Sequence, residues 1–155
     1  MLNVLILDDV PDNVDVIEML LEEYCEDNEI DYDIDAFTSP TAAYEYMCGN
    51  TTKDYDLVFL DIMMPEIDGL EFLKLIRFEL SMKQPYIIME TALSNDDIRT
   101  EEFEFGANAF LIKPINAEIF RSIVDTFYSA YKNGEKYVEY KNINEYIKTN
   151  TVLLD

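Results

Sequence analysis

The chain of 155 residues contains no histidine, few basic residues and few cysteines, and these shortages exclude several classes of function. Without histidine it cannot form a Ser-His-Asp triad, ligate zinc through imidazole or carry a phosphohistidine, so chemistry that needs histidine must find it on a partner. The 11 Lys and Arg residues stand against 33 Asp and Glu residues, a formal net charge of −22. With no basic stretch, such a chain is not expected to bind nucleic acid or an anionic membrane.

Only two cysteines are present, and long apolar runs are missing. Cys25 and Cys48 fall at helical positions without metal-like spacing, so we expect two buried, reduced thiols. No apolar run approaches the length of a membrane helix, and the N-terminus has no basic region with a cleavage site. These absences predict a cytoplasmic protein. The length suits one domain, and 49% apolar residues are typical of a globular chain.

Short apolar runs alternate along the chain with segments of helical periodicity. Short connections between them imply right-handed crossovers, and therefore a parallel sheet covered on both faces. The predicted fold class is α/β, a flavodoxin-like (βα)5 doubly wound sheet with strand order 2-1-3-4-5. The predicted strands are residues 2–7, 32–37, 57–60, 86–89 and 109–112, and the predicted helices begin near residues 11, 40, 69, 95 and 117.

Polar side chains follow the strands at one edge of this predicted sheet. Asp8 and Asp9 follow the first strand and Asp61 ends the third, so three carboxylates crowd one crevice between neighbouring strands. Their repulsion is costly unless something offsets it or one of the carboxylates takes a proton, and an all-oxygen cluster suits Mg²⁺. Thr91 and Lys113 follow the fourth and fifth strands at the same edge. Together these groups suit phosphoryl transfer to a carboxylate, here Asp61.

In this order and on these elements, the motifs resemble those of the receiver domain of two-component response regulators. The resemblance covers about residues 1–131 and implies that Asp61 is the phospho-acceptor. The matching segments are Asp8-Asp9, Leu60-Asp61-Ile62-Met63-Met64-Pro65-Glu66-Ile67-Asp68-Gly69, Thr91-Ala92 and Lys113-Pro114.

The resemblance also assigns a metal site and a switch. It implies that Mg²⁺, with Mn²⁺ as an alternative, is bound directly by Asp9, mostly through water by Asp8, and by the backbone carbonyl of Met63. It implies that Lys113 contacts the phosphoryl group and precedes a cis proline. Thr91 and Phe110 then correspond to the switch hydroxyl and the switch aromatic residue.

The function implied is signalling, with catalysis limited to the chain's own phosphorylation and dephosphorylation. The phosphoryl donor would be a sensor histidine kinase or a histidine phosphotransfer protein. The surface of the fourth helix, fifth strand and fifth helix would then change for a downstream protein target, and a homodimer through that surface or the C-terminal extension is compatible with this. Two alternatives stay open: a receiver-like scaffold that is never phosphorylated, and a phosphatase of the haloacid dehalogenase type. The phosphatase family wants a second aspartate where Met63 stands.

Two features have no assigned role. We expect a receiver domain at residues 1–132 and a C-terminal extension at 133–155, which is predicted to be helical and carries no separate output domain. Glu90, just before Thr91, occupies a position where the family commonly has an apolar residue. A carboxylate at the end of a buried strand must be paired, protonated or exposed, and we expect Glu90 to reach solvent or to pair with a basic side chain.

Overall fold

A computed structural model describes residues 1–49, 53–80, 83–92 and 105–137. Within them the five predicted strands all form, and they belong to one sheet. The third and fourth strands extend one and two residues beyond their predicted ends, because their last polar residues still pair with neighbouring strands. The strands are β1 (Leu2–Leu7), β2 (Tyr32–Phe37), β3 (Leu57–Asp61), β4 (Tyr86–Thr91) and β5 (Ala109–Ile112).

Helices connect the strands and cover both faces of the sheet. The helix predicted from residue 95 lies outside the described residues, so the fourth helix named here corresponds to the fifth predicted one. The helices are α1 (Pro11–Asp27), α2 (Pro40–Gly49), α3 (Gly69–Lys74) with a π-helical continuation (Leu75–Glu79), and α4 (Ala117–Lys132). No helix in the described ranges combines the length and the apolar character needed to cross a membrane.

The sheet has the order β2-β1-β3-β4-β5, and each neighbouring pair is parallel. The predicted fold class is confirmed. The register aligns Leu7 with Leu60, Asp61 with Glu90, and Thr91 with Ile112. The carboxyl ends of β1, β3, β4 and β5 therefore meet at one edge, where ligands bind in open α/β sheets.

Two apolar layers hold the sheet between the helices. Alternate side chains of the central strands point to opposite faces. One layer packs against α1 and α4, and there the rings of Phe59 and Phe120 stack with centroids 5.5 Å apart. The other layer packs against α2 and α3 and includes Val58 and Met89. Because β1, β3 and β4 are covered on both faces, their apolar runs are continuous.

The edge strand β2 carries two carboxylates that are partly shielded from solvent. Ala36 is exposed, whereas Asp33 and Asp35 are only partly accessible. The reason is a lysine from the segment before β3, since Lys53 Nζ lies 2.6 and 2.7 Å from these two carboxylates. The Tyr55 hydroxyl also donates to Asp35 at 2.7 Å. Tertiary ion pairs therefore bring two strand carboxylates partly out of solvent.

Side-chain caps fix where two helices begin. The side chain of Asn116 accepts hydrogen bonds from two N–H groups in the first turn of α4, at 2.9 and 3.0 Å. Asp68 caps α3 in the same way at 2.8 Å. The expectation for the cysteines is only half right: Cys25 is buried, but Cys48 is exposed, because it lies near the end of α2 on the side turned away from the sheet.

Candidate functional site

Three carboxylates meet at the carboxyl edge of the sheet, between β1 and β3. Carboxylate oxygens of Asp8, Asp9 and Asp61 all lie within 4.8 Å of one another. Asp8 is fully buried and Asp61 is 4% exposed, whereas Asp9 is partly open to solvent. One oxygen of Asp8 is fixed by the N–H of Val10 at 2.9 Å. The structure thus brings together the three aspartates that the sequence placed in one crevice.

A lysine that directly follows the carboxyl end of β5 reaches into this cluster. Lys113 Nζ lies 3.0 Å from Asp8 Oδ2 and 3.1 Å from Asp61 Oδ1, so one ammonium bridges two carboxylates. The backbone N–H of Lys113 donates to the carbonyl of Thr91 at 2.7 Å, which fixes the end of β5 against β4. The Lys113–Pro114 peptide bond is cis, as the sequence resemblance implied.

The charges perturb each other because Asp8 and Asp61 are buried. Burial first, and then the charge of Asp8, raise the pKa of Asp61 to about 7, while Lys113 opposes the rise. Burial alone would lower the pKa of Lys113, but its hydrogen bonds to the two carboxylates outweigh it and the pKa rises. The lysine therefore stays charged, and one positive charge faces three acidic groups.

This donor set fits a hard divalent cation. All candidate ligand atoms are carboxylate oxygens, which Mg²⁺ prefers, and the partly open Asp9 leaves room for bound waters. Oδ2 of Asp8 lies 3.0 Å from the ammonium of Lys113 and has no other hydrogen-bond donor among the described residues. The pocket thus has unused acceptor capacity and excess negative charge. Met63, two residues after Asp61, donates its backbone N–H to Asp61 Oδ1 at 3.4 Å, and its side chain is 68% exposed.

The loop after Asp61 is closed by a glycine at the start of α3. The N–H of Gly69 donates to the carbonyl of Ile62 at 2.8 Å. A Cβ atom at Gly69 would lie only 2.2 Å from the Asp61 carbonyl oxygen. In the sequence this glycine is only the last residue of the segment, from Leu60 onward, that resembles a receiver domain. Its structural role is to let the helix start pack directly on the backbone that carries Asp61.

The two predicted switch residues lie on one face of the sheet. Phe110 packs, partly buried, in the layer of α2 and α3, which also contains its cross-strand neighbour Met89. Thr91, buried at the end of β4, is two residues beyond Met89 and so shares this face. The structure brings these two groups to the same side, and their switch roles stay predictions.

The expectation for Glu90 is wrong. Its side chain is fully buried, and neither carboxyl oxygen receives a hydrogen bond from the described part of the chain. Burial, and next the charge of Asp8, raise the pKa of Glu90 well above its ordinary value. The reason is its place on β4, a central strand that is covered on both faces. Glu90 is therefore a fourth acidic group of the site, and only tertiary structure shows it.

Fold and site together define a doubly wound α/β protein with an acidic, lysine-facing pocket at the carboxyl edge of its sheet. Residues 4–125 match the family model of the response regulator receiver domain. The chain belongs to this family, and it is a receiver domain of two-component signalling.

Known relatives match over part of their length. The osmosensing histidine protein kinase SLN1 of Saccharomyces cerevisiae is 37% identical over 84 residues, which are 54% of this chain and 7% of that protein. A probable cyclic di-GMP phosphodiesterase of Vibrio cholerae is 30% identical over 146 residues, 94% of this chain and 30% of that protein. The chain thus spans less than a third of either relative. The solved structure of a two-component response regulator from Clostridium difficile is 26% identical, covers 83% of this chain and 97% of its own, and has a TM-score of 0.70.

Removing the charge of Asp61 is expected to stabilise the metal-free fold. The pKa of Asp61 is about 7 in the folded chain against an ordinary value of 3.8, so between these values the folded state keeps a proton that the unfolded state releases. Stability is therefore lost as pH rises through this window. In EDTA, Asp61→Asn should raise the free energy of unfolding by about 2 kcal/mol near pH ~8 and by almost nothing near pH ~4, since solvent at the pocket mouth screens part of the repulsion.

Urea denaturation at the two pH values measures this effect. Asp15→Asn is the matched control, because Asp15 is an exposed carboxylate on α1 and its substitution should stay within about 0.5 kcal/mol at both. Equal stabilisation by Asp61→Asn at acid and alkaline pH would contradict the electrostatic explanation.

Proposed function

We propose that this chain is a phospho-accepting receiver, in which Asp61 takes a phosphoryl group from a phosphohistidine of a sensor histidine kinase or histidine phosphotransfer protein. The observation that carries the proposal is the position of Lys113 Nζ, 3.1 Å from Asp61 Oδ1 and beside the Asp8 and Asp9 carboxylates. A buried carboxylate with a cationic neighbour on one side and metal-type ligands on the other suits a nucleophile that receives an anionic group.

Each group then has a part in the transfer. Asp8, Asp9, Asp61 and the backbone carbonyl of Met63 would hold Mg²⁺, or Mn²⁺, which supplies positive charge to the phosphoryl oxygens. An oxygen of Asp61 forms a bond to phosphorus as the phosphorus–nitrogen bond of the partner's phosphohistidine breaks, and the leaving imidazole takes up a proton. Lys113 neutralises charge on the transferred group from the side of β5.

The output is a change of surface that a downstream protein reads. The phosphoryl group adds charge and acceptors at Asp61, and the hydroxyl of Thr91 moves to donate to them. Phe110 then turns into the space beside β5, and the populations of two surface conformations shift. The predicted fourth helix, which belongs to this surface, lies outside the described residues. A downstream protein, or a second copy of the chain, would bind there.

The domain boundary near residue 132 is part of the proposal. The chain leaves α4 through Gly134, and Tyr137 packs back onto the domain, with its ring 5.4 Å from that of Tyr86 in an edge-to-face contact. Its carbonyl accepts a hydrogen bond from the Asn108 side chain at 2.8 Å. These contacts support an extension that begins by docking on its own domain.

Labelling with a small phosphodonor tests the proposal. With radiolabelled acetyl phosphate and Mg²⁺, the wild-type protein should form an acid-stable, alkali-labile acyl phosphate, and Asp61→Asn should form none. EDTA should remove labelling of the wild type. The exposed Asp15→Asn is the matched control and should label normally.

The same experiment separates the alternatives. Wild-type protein that takes no label and does not bind beryllofluoride would favour a scaffold that signals without phosphorylation. Labelling that survives Asp61→Asn would refute Asp61 as the acceptor. A phosphatase of the haloacid dehalogenase type needs a carboxylate where the exposed Met63 side chain stands, so release of phosphate from small esters is not expected.

A further inference from the structure

The loop between β3 and α3, residues 62–68, contains a tight turn with an unusual backbone conformation. The N–H of Ile67 donates to the carbonyl of Pro65 at 2.8 Å, which closes a γ-turn around Glu66. Glu66 has a φ of 68°, so the turn is of the rare and strained kind. The other non-glycine residue with positive φ in the described ranges is Glu29, which follows the end of α1, where left-handed residues are common. Glu66 does not follow a helix, so its conformation needs another cause.

A hydrogen bond from α2 holds this turn. Thr41, an exposed residue in the first turn of α2, donates its hydroxyl to Oε2 of Glu66 at 2.5 Å, across 25 positions of sequence. On the other side of Pro65, the side chain of Met64 is 8% exposed and belongs to the apolar layer that also contains Ala43 of α2. Strained conformations persist only where surrounding contacts maintain them. The hydrogen bond and the buried methionine are contacts of this kind.

The conformation of this loop matters because it carries one of the metal ligands proposed above. The carbonyl of Met63 belongs to the peptide that joins Met63 to Met64, just before the γ-turn. The Met63 side chain is 68% exposed, so its packing does not fix this peptide. The N–H of Met63 lies 3.4 Å from Asp61 Oδ1, which is long for a hydrogen bond. The position of the carbonyl therefore depends on the segment that follows it.

We propose that Thr41 and Glu66 are positioning residues of the metal site, which hold residues 62–68 in the conformation that binds the divalent cation. This inference rests on the function proposed above. Without the hydrogen bond, the strained turn relaxes in a fraction of the molecules. The apparent dissociation constant for the cation then rises in inverse proportion to the fraction that stays competent to bind. The stability of the fold changes little, because release of strain offsets the loss of one exposed hydrogen bond.

Substitutions at the two positions separate the hydrogen bond from the charge. Thr41→Val keeps the shape of the side chain and removes the donor. Glu66→Gln keeps an acceptor oxygen and removes the charge, whereas Glu66→Ala removes both. We expect Thr41→Val and Glu66→Ala each to weaken cation binding about fivefold, and Glu66→Gln to stay within about twofold of wild type. The double variant Thr41→Val/Glu66→Ala should bind no more weakly than Glu66→Ala, because both substitutions remove the same hydrogen bond.

Mn²⁺ titrations followed by electron paramagnetic resonance, with Mg²⁺ as competitor, measure these dissociation constants without phosphorylation. In labelling with acetyl phosphate, Thr41→Val should raise the Mg²⁺ concentration for half-maximal rate about fivefold and leave the rate at saturating Mg²⁺ within about twofold. Its melting temperature in EDTA should stay within about 3 °C of wild type. Thr126→Val is the matched control, because Thr126 is an exposed threonine on α4, and it should change neither cation binding nor labelling.

Four results would overturn the role of this pair. They are wild-type affinity in Thr41→Val, additive losses in the double variant, equal losses in Glu66→Gln and Glu66→Ala, and a lower melting temperature of Thr41→Val in EDTA with unchanged affinity. The last result would show a merely structural contact. Wild-type protein that binds neither cation, or takes no label, would instead refute the proposed function, and this inference with it.

Discussion

Gly69→Ala is expected to lower the free energy of unfolding by about 3 kcal/mol or more. The added Cβ would lie 2.2 Å from the Asp61 carbonyl oxygen and 2.5 Å from Cα of Ile62. Both are backbone atoms at the end of a buried central strand, so no side-chain rotation relieves the contact. Overpacking a tight core costs about 1–3 kcal/mol, and a clash between two backbone segments falls at or beyond the top of that range. Urea denaturation followed by far-ultraviolet circular dichroism measures the loss.

The chain contains its own control for this substitution. Gly49 ends α2, and a Cβ there would meet no atom of the described residues within 4 Å. Gly49→Ala should therefore be neutral or stabilise the fold by up to about 1 kcal/mol, since alanine restricts the unfolded chain and favours helix. If Gly69→Ala were as mild as Gly49→Ala, the start of α3 would not pack on the Asp61 backbone as described. Gly69→Ala should also weaken Mg²⁺ binding, because relief of the clash must shift the segment that carries Asp61.

Much of the fold follows from local patterns. Central strands that are covered on both faces need continuous apolar runs, and such runs are visible in a sequence. The polar residues just past these runs are equally visible, so Asp8, Asp9, Asp61 and Lys113 could be placed at strand ends without coordinates. Parallel order then brings those ends together, because carboxyl ends share an edge.

The sequence is least informative where a residue's environment depends on distant segments. The two carboxylates of β2 read as solvent-facing, yet Lys53 pairs with both of them from 18 and 20 residues away. The sequence also predicted that Glu90 reaches solvent or pairs with a basic side chain, but the helices on both sides of β4 bury this strand. The need for glycine at position 69 is likewise invisible in the sequence. It comes from the short distance between two backbone segments and not from a turn preference.

Arg77 is another residue whose role is not visible in the sequence. We expect Arg77→Met to lower the free energy of unfolding by about 3 kcal/mol or more. Arg77 lies in the π-helical continuation of α3 and, as a charged residue, would be expected at the surface, but it is only 3% exposed. Its Nε and Nη2 donate to the carbonyl of Gly106 at 3.0 and 2.7 Å, and Nη1 donates to the carbonyl of Pro85 at 2.7 Å. Nη2 also reaches the side chain of Asn108 at 2.9 Å.

Arg77 therefore ties the end of α3 to the segments that enter β4 and β5. Its acceptors among the described residues are all uncharged, and burial lowers the pKa of its guanidinium to about 9. Burying the charge is costly, and methionine would remove that cost. However, methionine would also leave the buried carbonyl of Pro85 and the partly buried carbonyl of Gly106 without the donors of Arg77, at about 1–3 kcal/mol each, and would lose hydrogen bonds from a charged group at about 1.5–3 kcal/mol each. The lost hydrogen bonds and the unpaired carbonyls outweigh the relief from burying a charge, so we expect Arg77→Met to lower the free energy of unfolding.

Arg121→Met is the comparison that makes this prediction testable. Arg121 pairs with Asp27 at 2.8 Å on the surface, and both side chains are about half exposed, 46% and 53%. Its loss should cost no more than about 1 kcal/mol, as for other surface pairs. Urea midpoints of the two variants, measured at equal protein concentration, should therefore differ widely although each removes one guanidinium. If Arg77→Met were instead as stable as wild type or more stable, the cost of burying the charge would exceed the value of its hydrogen bonds, and the link from α3 to β4 and β5 would not depend on them.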